Sequence, residues 1–371
     1  MIDPAVDESI ARSACAMVEA RAPVFVLGPL ARRCLDLCVP LARRLGAAIV
    51  TTPDAKGLVD ETIPEAVGNY SFGPSDRAPA IVEAADVIIG VGTSFFGFAS
   101  GFGRVFATAR LIDITDDAMA IPIGMADGIA LVGDPRATLH ELTRAIGPVS
   151  RERWFDRQPA PLATAEETGD SPDGIHPVAA VRAIEAALPS PSRLVCDITT
   201  LALPLLQSAR LGPDRRMFLQ VESSASLGSG LAMALGVRMS SRCPTVALVG
   251  EWGLLANEGE LSTVSLRDVG QFVVVCCSNS GSAMIRAGVE AQHFLVPAEL
   301  HTWRAPRFEL VAAGHGLQAC TVRRASDLQS TLTSALQAPH PVLIDAIIDP
   351  LAKVPAAQAR FGELDKSREA R

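Results

Sequence analysis

The chain has 371 residues, enough for about two domains of ordinary size, and 49% of them are hydrophobic against 20% charged, which favours large buried sheets over disorder. A formal net charge of −8 with no basic run interleaved with aromatics argues against a nucleic-acid surface. Every apolar run is cut by Gly, Pro or a charge well short of a bilayer crossing, so no membrane partner is expected. The 8 cysteines form no Cys-x-x-Cys pair and no zinc spacing with histidine. Cys34 and Cys38 on a helix, and Cys276-Cys277 on a strand, read as core packing in a reducing, cytoplasmic compartment.

The first block fills 1–150, with its folded part from about Ala22 to Gly147. Pro23–Leu27 reads as a strand entering a Gly-Pro turn, followed by a helix through Arg43. Ala47–Thr52, Asp86–Val91 and Arg110–Ile114 read as further strands, and Leu131–Gly133 as a short fifth before a helix over Arg136–Ala145. Strands alternating with helices imply a parallel doubly wound sheet. A charged, proline-bearing linker occupies 151–175, with Pro159, Pro161 and Pro172 and no hydrophobic period.

The second block covers 176–350 and opens with a helix over Pro177–Ala187, Pro at its first turn. A strand over Leu194–Asp197 runs into a Thr199-Thr200 turn, and the small-residue segment Ser223–Gly236 enters a helix. Two runs of β-branched and small apolar residues, Thr245–Val249 and Phe272–Cys277, read as buried parallel strands flanking one helix over Leu254–Arg267. A mobile stretch to Pro306, a last helix and a strand in "PVLIDAIIDP" complete the block, and a polar tail occupies 351–371. The fold class is therefore α/β, with two doubly wound parallel-sheet domains.

Glu251 follows the first strand of the pair and Asn279 the second, 28 positions later, so both face the crevice beyond the strands' carboxyl ends. A carboxylate, an amide oxygen and a backbone carbonyl so placed suit Mg²⁺, with coordination sites left for phosphates. The alternatives are a solvated Glu251 at a helix N-terminus and an Asn279 that only ends its strand. Gly28 and Gly90-x-Gly92 suggest a nucleotide site in the first block, though tight packing explains a lone Gly-x-Gly as well. His293 and His301 lie in the segment expected to cap the crevice, as substrate contacts or as packing residues.

At these residues the chain resembles the thiamine diphosphate (ThDP) enzymes of the acetolactate synthase, pyruvate decarboxylase and benzoylformate decarboxylase superfamily. Their cofactor motif opens with Gly-Asp-Gly and closes with Asn-Asn; Gly250-Glu251-Trp252 and Ser278-Asn279 stand in those places, and Glu260-Leu261 and Thr263 match the helix between. "TTPDAKGLV", "ADVIIGVGTSF", "LIDIT" and "VGDPRATLHEL" resemble the superfamily's middle domain, so the two blocks are expected to be a middle domain and a ThDP diphosphate-binding domain.

The resemblance implies a Mg²⁺ held by Glu251, Asn279 and the Gly281 carbonyl. It also implies a ThDP site lined by Thr200, Leu227, Gly228, Gly250, Trp252, Gly253 and Ser282, with Leu227 wedged between the two rings. Four letters depart from the pattern: Glu251 for Asp, Trp252 for Gly, Gly253 for a hydroxyl residue and Ser278 for Asn.

Full-length members begin with a pyrimidine-binding domain that supplies a catalytic Glu, and the chain starts about twenty residues before the middle domain's first strand. The expectation is the cofactor-binding subunit of a split enzyme, with no catalytic residue of its own. It would act on a small 2-oxo acid in a hetero-oligomer with a separate pyrimidine-domain subunit. The rivals are a degenerate, non-catalytic paralogue that binds or regulates, and a nucleotide or FAD module using the first block.

Overall fold

A computed structural model describes residues 4–70, 75, 77–95, 97, 109–121, 128–158, 169–219, 226–267, 269–291 and 293–352. Pro159 and Pro161, Ser223–Ala225 and the tail from 353 lie outside the described residues. The chain divides into two compact units, Met1–Ala163 and Thr164–Arg371.

The first unit holds helix α1 (Pro4–Glu19), strand β1 (Pro23–Leu27), α2 (Leu35–Leu45), β2 (Ala48–Thr51), β3 (Ala66–Asn69), α3 (Ala78–Glu83), β4 (Val87–Val91), β5 (Arg110–Thr115), β6 (Ile129–Val132) and α4 (Pro135–Ile146). Its six strands are all parallel, in the order β3-β2-β1-β4-β5-β6. Helix α4 starts where the sequence dictates: the Asp134 carboxylate accepts from the Arg136 and Ala137 amides, and Pro135 occupies the first turn. Gly28 and Gly92 serve packing. A Cβ on Gly28 would come within 2.2 Å of the Gly92 carbonyl, and one on Gly90 within 2.3 Å of the Phe95 ring. Helix α1 was not legible as an element, yet Ala14, Met17 and Ala20 bury one of its faces. The segment read as the start of a linker is also part of this unit. Phe155 is fully buried, and the Trp154 indole donates to the Pro23 carbonyl at 3.0 Å.

The second unit holds α5 (Pro177–Ala187), β7 (Ser192–Cys196), α6 (Ala202–Ser208), β8 (Arg215–Leu219), α7 (Ser229–Ser241), β9 (Thr245–Gly250), α8 (Glu251–Ala256), α9 (Gly259–Arg267), β10 (Phe272–Ser278), α10 (Ala283–Ala291), α11 (Phe308–Gly314), β11 (Gln318–Val322), α12 (Ala325–Ala335) and β12 (Val342–Ile347). Its strands are again all parallel, ordered β11-β12-β10-β9-β7-β8. Strand β10 is buried along its whole length, as expected of a central parallel strand covered on both faces. The topological switch lies between β7 and β9, because the chain leaves β7 outward to β8 and returns on the other side.

The single helix expected over Leu254–Arg267 is two. Asn257 breaks it with φ −136°, and Gly259 starts α9. All eight cysteines are free thiols, and Cys34, Cys38, Cys196, Cys276 and Cys277 are core. No described helix is long and apolar enough to cross a membrane.

Candidate functional site

Three strand ends of the second unit deliver the site. Strand β7 ends in Asp197 and the Thr199-Thr200 turn, β9 in Gly250 and Glu251, and β10 in Ser278 and Asn279. Parallel pairing of β10 with β9 sets Cys277 opposite Gly250, so Glu251 and Asn279 emerge side by side. The Asn279 amide nitrogen donates to the Thr200 hydroxyl at 3.2 Å and ties the β10 loop to the β7 turn.

Glu251 is 3% exposed, and its carboxylate is fully engaged by the chain itself. One oxygen accepts the Ser280 amide at 2.9 Å and the other the Trp303 indole N–H at 2.8 Å. Burial pushes its carboxyl pKa up; the N–H groups of Ser280, Trp303, Asn279 and Gly281 pull it back down. Trp303 lies edge-on to Trp252, with ring centroids 5.1 Å apart and an interplanar angle of 69°.

The segment carrying Trp303 is pinned over the loop by an antiparallel bridge of Gly281 with Thr302. In it the Ser282 amide donates to His301 O at 2.9 Å and the Trp303 amide to Ser280 O at 3.0 Å. The stretch expected to be mobile is thus partly ordered: α10 and this bridge lie within it. His301 is buried in the cap with its Nδ1 unbonded, whereas His293 is exposed.

A second cluster involves a residue that sequence reading assigned no role. Asp197 is 2% exposed, and its carboxylate accepts the Gly228 amide at 2.7 Å and the Ile198 amide at 2.8 Å. Gly228 has φ +89°, which only glycine adopts without strain, and it starts α7. Gly253 packs so closely that a Cβ there would sit 2.4 Å from Asp197 Oδ2. The absence of a hydroxyl side chain at 253 therefore has a steric reason: Asp197 fills that space. Leu227, which without the resemblance reads as core, is 54% exposed at this turn. The only signal for Asp197 was an acid at a strand end, and nothing in the sequence marked Trp303.

These residues meet the two expected ligands unequally. The exposed Leu227, the half-buried Thr200 and the turn at Gly228 fit an elongated cofactor laid across the strand ends. The groups expected to hold Mg²⁺ are engaged by the chain itself. Glu251, Asn279 and Gly281 do come together, but the longer side chain at 251 has turned into a ring of N–H donors. Mg²⁺ needs near-ideal octahedral oxygens, and both Glu251 oxygens already accept N–H groups, while the Asn279 amide gives only its nitrogen to Thr200.

Comparison with known proteins agrees with the fold and the motif layout. Residues 10–142 match the thiamine pyrophosphate enzyme central domain, and 197–346 match the C-terminal TPP-binding domain of those enzymes. The chain is 26% identical over 362 residues to a probable acetolactate synthase large subunit of Methanocaldococcus jannaschii, covering 93% of this chain and 61% of that one. It is 26% identical over 328 residues to a probable 2-ketoarginine decarboxylase of Pseudomonas aeruginosa, covering 86% and 56%. With the benzoylformate decarboxylase of the same organism it shares 27% over 347 residues, covering 88% and 61%. The chain thus spans about three-fifths of the length of these relatives.

Proposed function

The chain belongs to the thiamine pyrophosphate enzyme family, and we propose that it is the cofactor-binding chain of a ThDP-dependent enzyme that decarboxylates a small 2-oxo acid or ligates it to a second carbonyl. The observation that carries this reading is the convergence of Thr200, Leu227, Gly228 and Asn279 at the carboxyl ends of β7, β9 and β10. When bound, ThDP supplies the nucleophilic carbon and the electron sink for the reaction. The chain's own part is positioning. Leu227 offers an apolar edge, Thr200 and the 279–282 loop offer polar groups, and the Trp303 indole, packed edge-on to Trp252, holds one oxygen of the buried Glu251. A separate chain with a pyrimidine-binding domain would complete the site and supply the catalytic Glu.

Native purification of the chain from its source cell tests this. Co-elution of ThDP with a stoichiometric partner of about 150–200 residues supports the split enzyme. A chain that elutes alone and takes up no ThDP on titration overturns it.

One observation favours the rival reading of a non-catalytic binding or regulatory paralogue: Glu251 is satisfied internally, and two indoles stand beside it. On that reading Glu251→Asp combined with Trp252→Gly creates cofactor binding that the natural chain lacks. If the natural chain binds ThDP as tightly as the double variant, the rival reading fails.

A further inference from the structure

At the ends of β10, β11 and β12 lies a cavity of about 400 Å³ whose wall includes Ser278, Asn279 and Ser280 and whose arginines the proposed reaction does not use. Arg304, Arg307 and Arg323 line it. All three are exposed, and none makes an ion pair or side-chain hydrogen bond among the described residues. The carboxylates in the same wall are differently placed. Glu309 accepts the Thr321 hydroxyl at 2.8 Å. Asp345 is buried, and burial raises its carboxyl pKa; the Ser278 hydroxyl, whose hydrogen bond it accepts, draws it back, Glu309 nearby pushes it up and Arg323 pulls it down. Asp173 is exposed at the rim.

Three guanidiniums that make no ion pair or side-chain hydrogen bond among the described residues face this concavity, and each planar fork can donate to two oxygens of an anion at once. We propose that this cavity binds a compact organic dianion, a phosphate ester or a dicarboxylate, held by Arg304, Arg307 and Arg323 without a metal ion. Its volume lies in the range of small-molecule sites and is too small for a macromolecular partner. The site adjoins the Thr200–Leu227–Asn279 crevice, with Asn279 in the wall of both, and its arginines lie on the far side of the 278–280 loop.

It is coupled to that crevice through the chain. Arg304 directly follows Trp303, and Ser280, a wall residue of the cavity, holds Glu251 through its amide. An anion that draws Arg304 inward is therefore reported by the Trp303 indole.

The test is calorimetric titration of the full chain, in EDTA, with inorganic phosphate and separately with succinate. The expected result is saturable binding of at least one, unchanged in Arg267→Gln on the exposed face of α9. In Arg307→Gln/Arg323→Gln the same binding is weakened by about tenfold or more. The tighter of the two probes identifies the ligand as phosphorylated or as a dicarboxylate. The exposed positions leave the fold intact, and circular dichroism of the double variant checks this. Failure of both anions to saturate by about 10 mM, equal binding by the double variant, or binding seen only when Mg²⁺ replaces EDTA would each overturn the proposal.

Discussion

Glu251 shows how one methylene changes the meaning of a motif. The sequence placed a carboxylate beside Asn279, and the structure agrees; the reach of that carboxylate decided its partners, Ser280 and Trp303. Glu251→Gln puts an amide NH₂ against one of two N–H donors, so we expect a loss of about 1–3 kcal/mol in urea unfolding and a shift in tryptophan emission as Trp303 loses its acceptor. Leu227→Ala should leave the unfolding midpoint nearly unchanged, because the side chain is 54% exposed, while weakening ThDP binding to the complete enzyme. Equal losses in stability and binding would show that Leu227 is a packing residue.

Asp113 makes a separate prediction in the first unit. It is fully buried in β5, neither carboxyl oxygen has a hydrogen-bond partner, and burial raises its pKa to about 7. The folded state therefore retains a proton that the unfolded chain releases from about pH 4 upward. The sign follows: this group costs stability as pH rises from about 4 to about 7, and the cost is constant above that. Urea midpoints of wild type and Asp113→Asn at several pH values check it. The variant should gain relative to wild type as pH rises through this window, and parallel profiles would refute the assignment.

At the scale of elements, the turn that starts α7 is held from three sides. Asp197 caps Gly228, Asn257 at the break between α8 and α9 approaches it, and Gly253 packs beneath. Gly253→Ala would place a methyl 2.4 Å from Asp197 Oδ2, and Gly228→Ala adds a left-handed backbone at φ +89°. Both should lower stability by about 1–3 kcal/mol, Gly228→Ala by more, as read from chemical denaturation. Most strands that sequence reading found are buried on both faces, as β9 and β10 are, with the edge strand β6 the exception. The strands it missed lie at sheet edges. Strands β3, β8 and β11 are only partly buried and carry Gly, Arg or Gln in place of an unbroken apolar run.

At the scale of the whole molecule, two parallel sheets follow from the alternation of apolar strands with helices, and the positions of Glu251 and Asn279 follow from strand ends in adjacent register. Local sequence determines such things because burial of a parallel strand demands a continuous apolar run, and helix starts demand caps such as Asp134-Pro135. It also placed Thr200, Leu227 and Gly228 beside the crevice through the resemblance. What only the tertiary structure decided is which groups meet. Trp303, fifty-two positions after Glu251, donates to its carboxylate; Asp197 fills the space beside Gly253; and Arg304, Arg307 and Arg323 share one cavity with Ser280. Such meetings depend on crossovers that bring distant loops to one sheet edge and on side-chain reach, neither of which has a period or spacing that a single sequence displays.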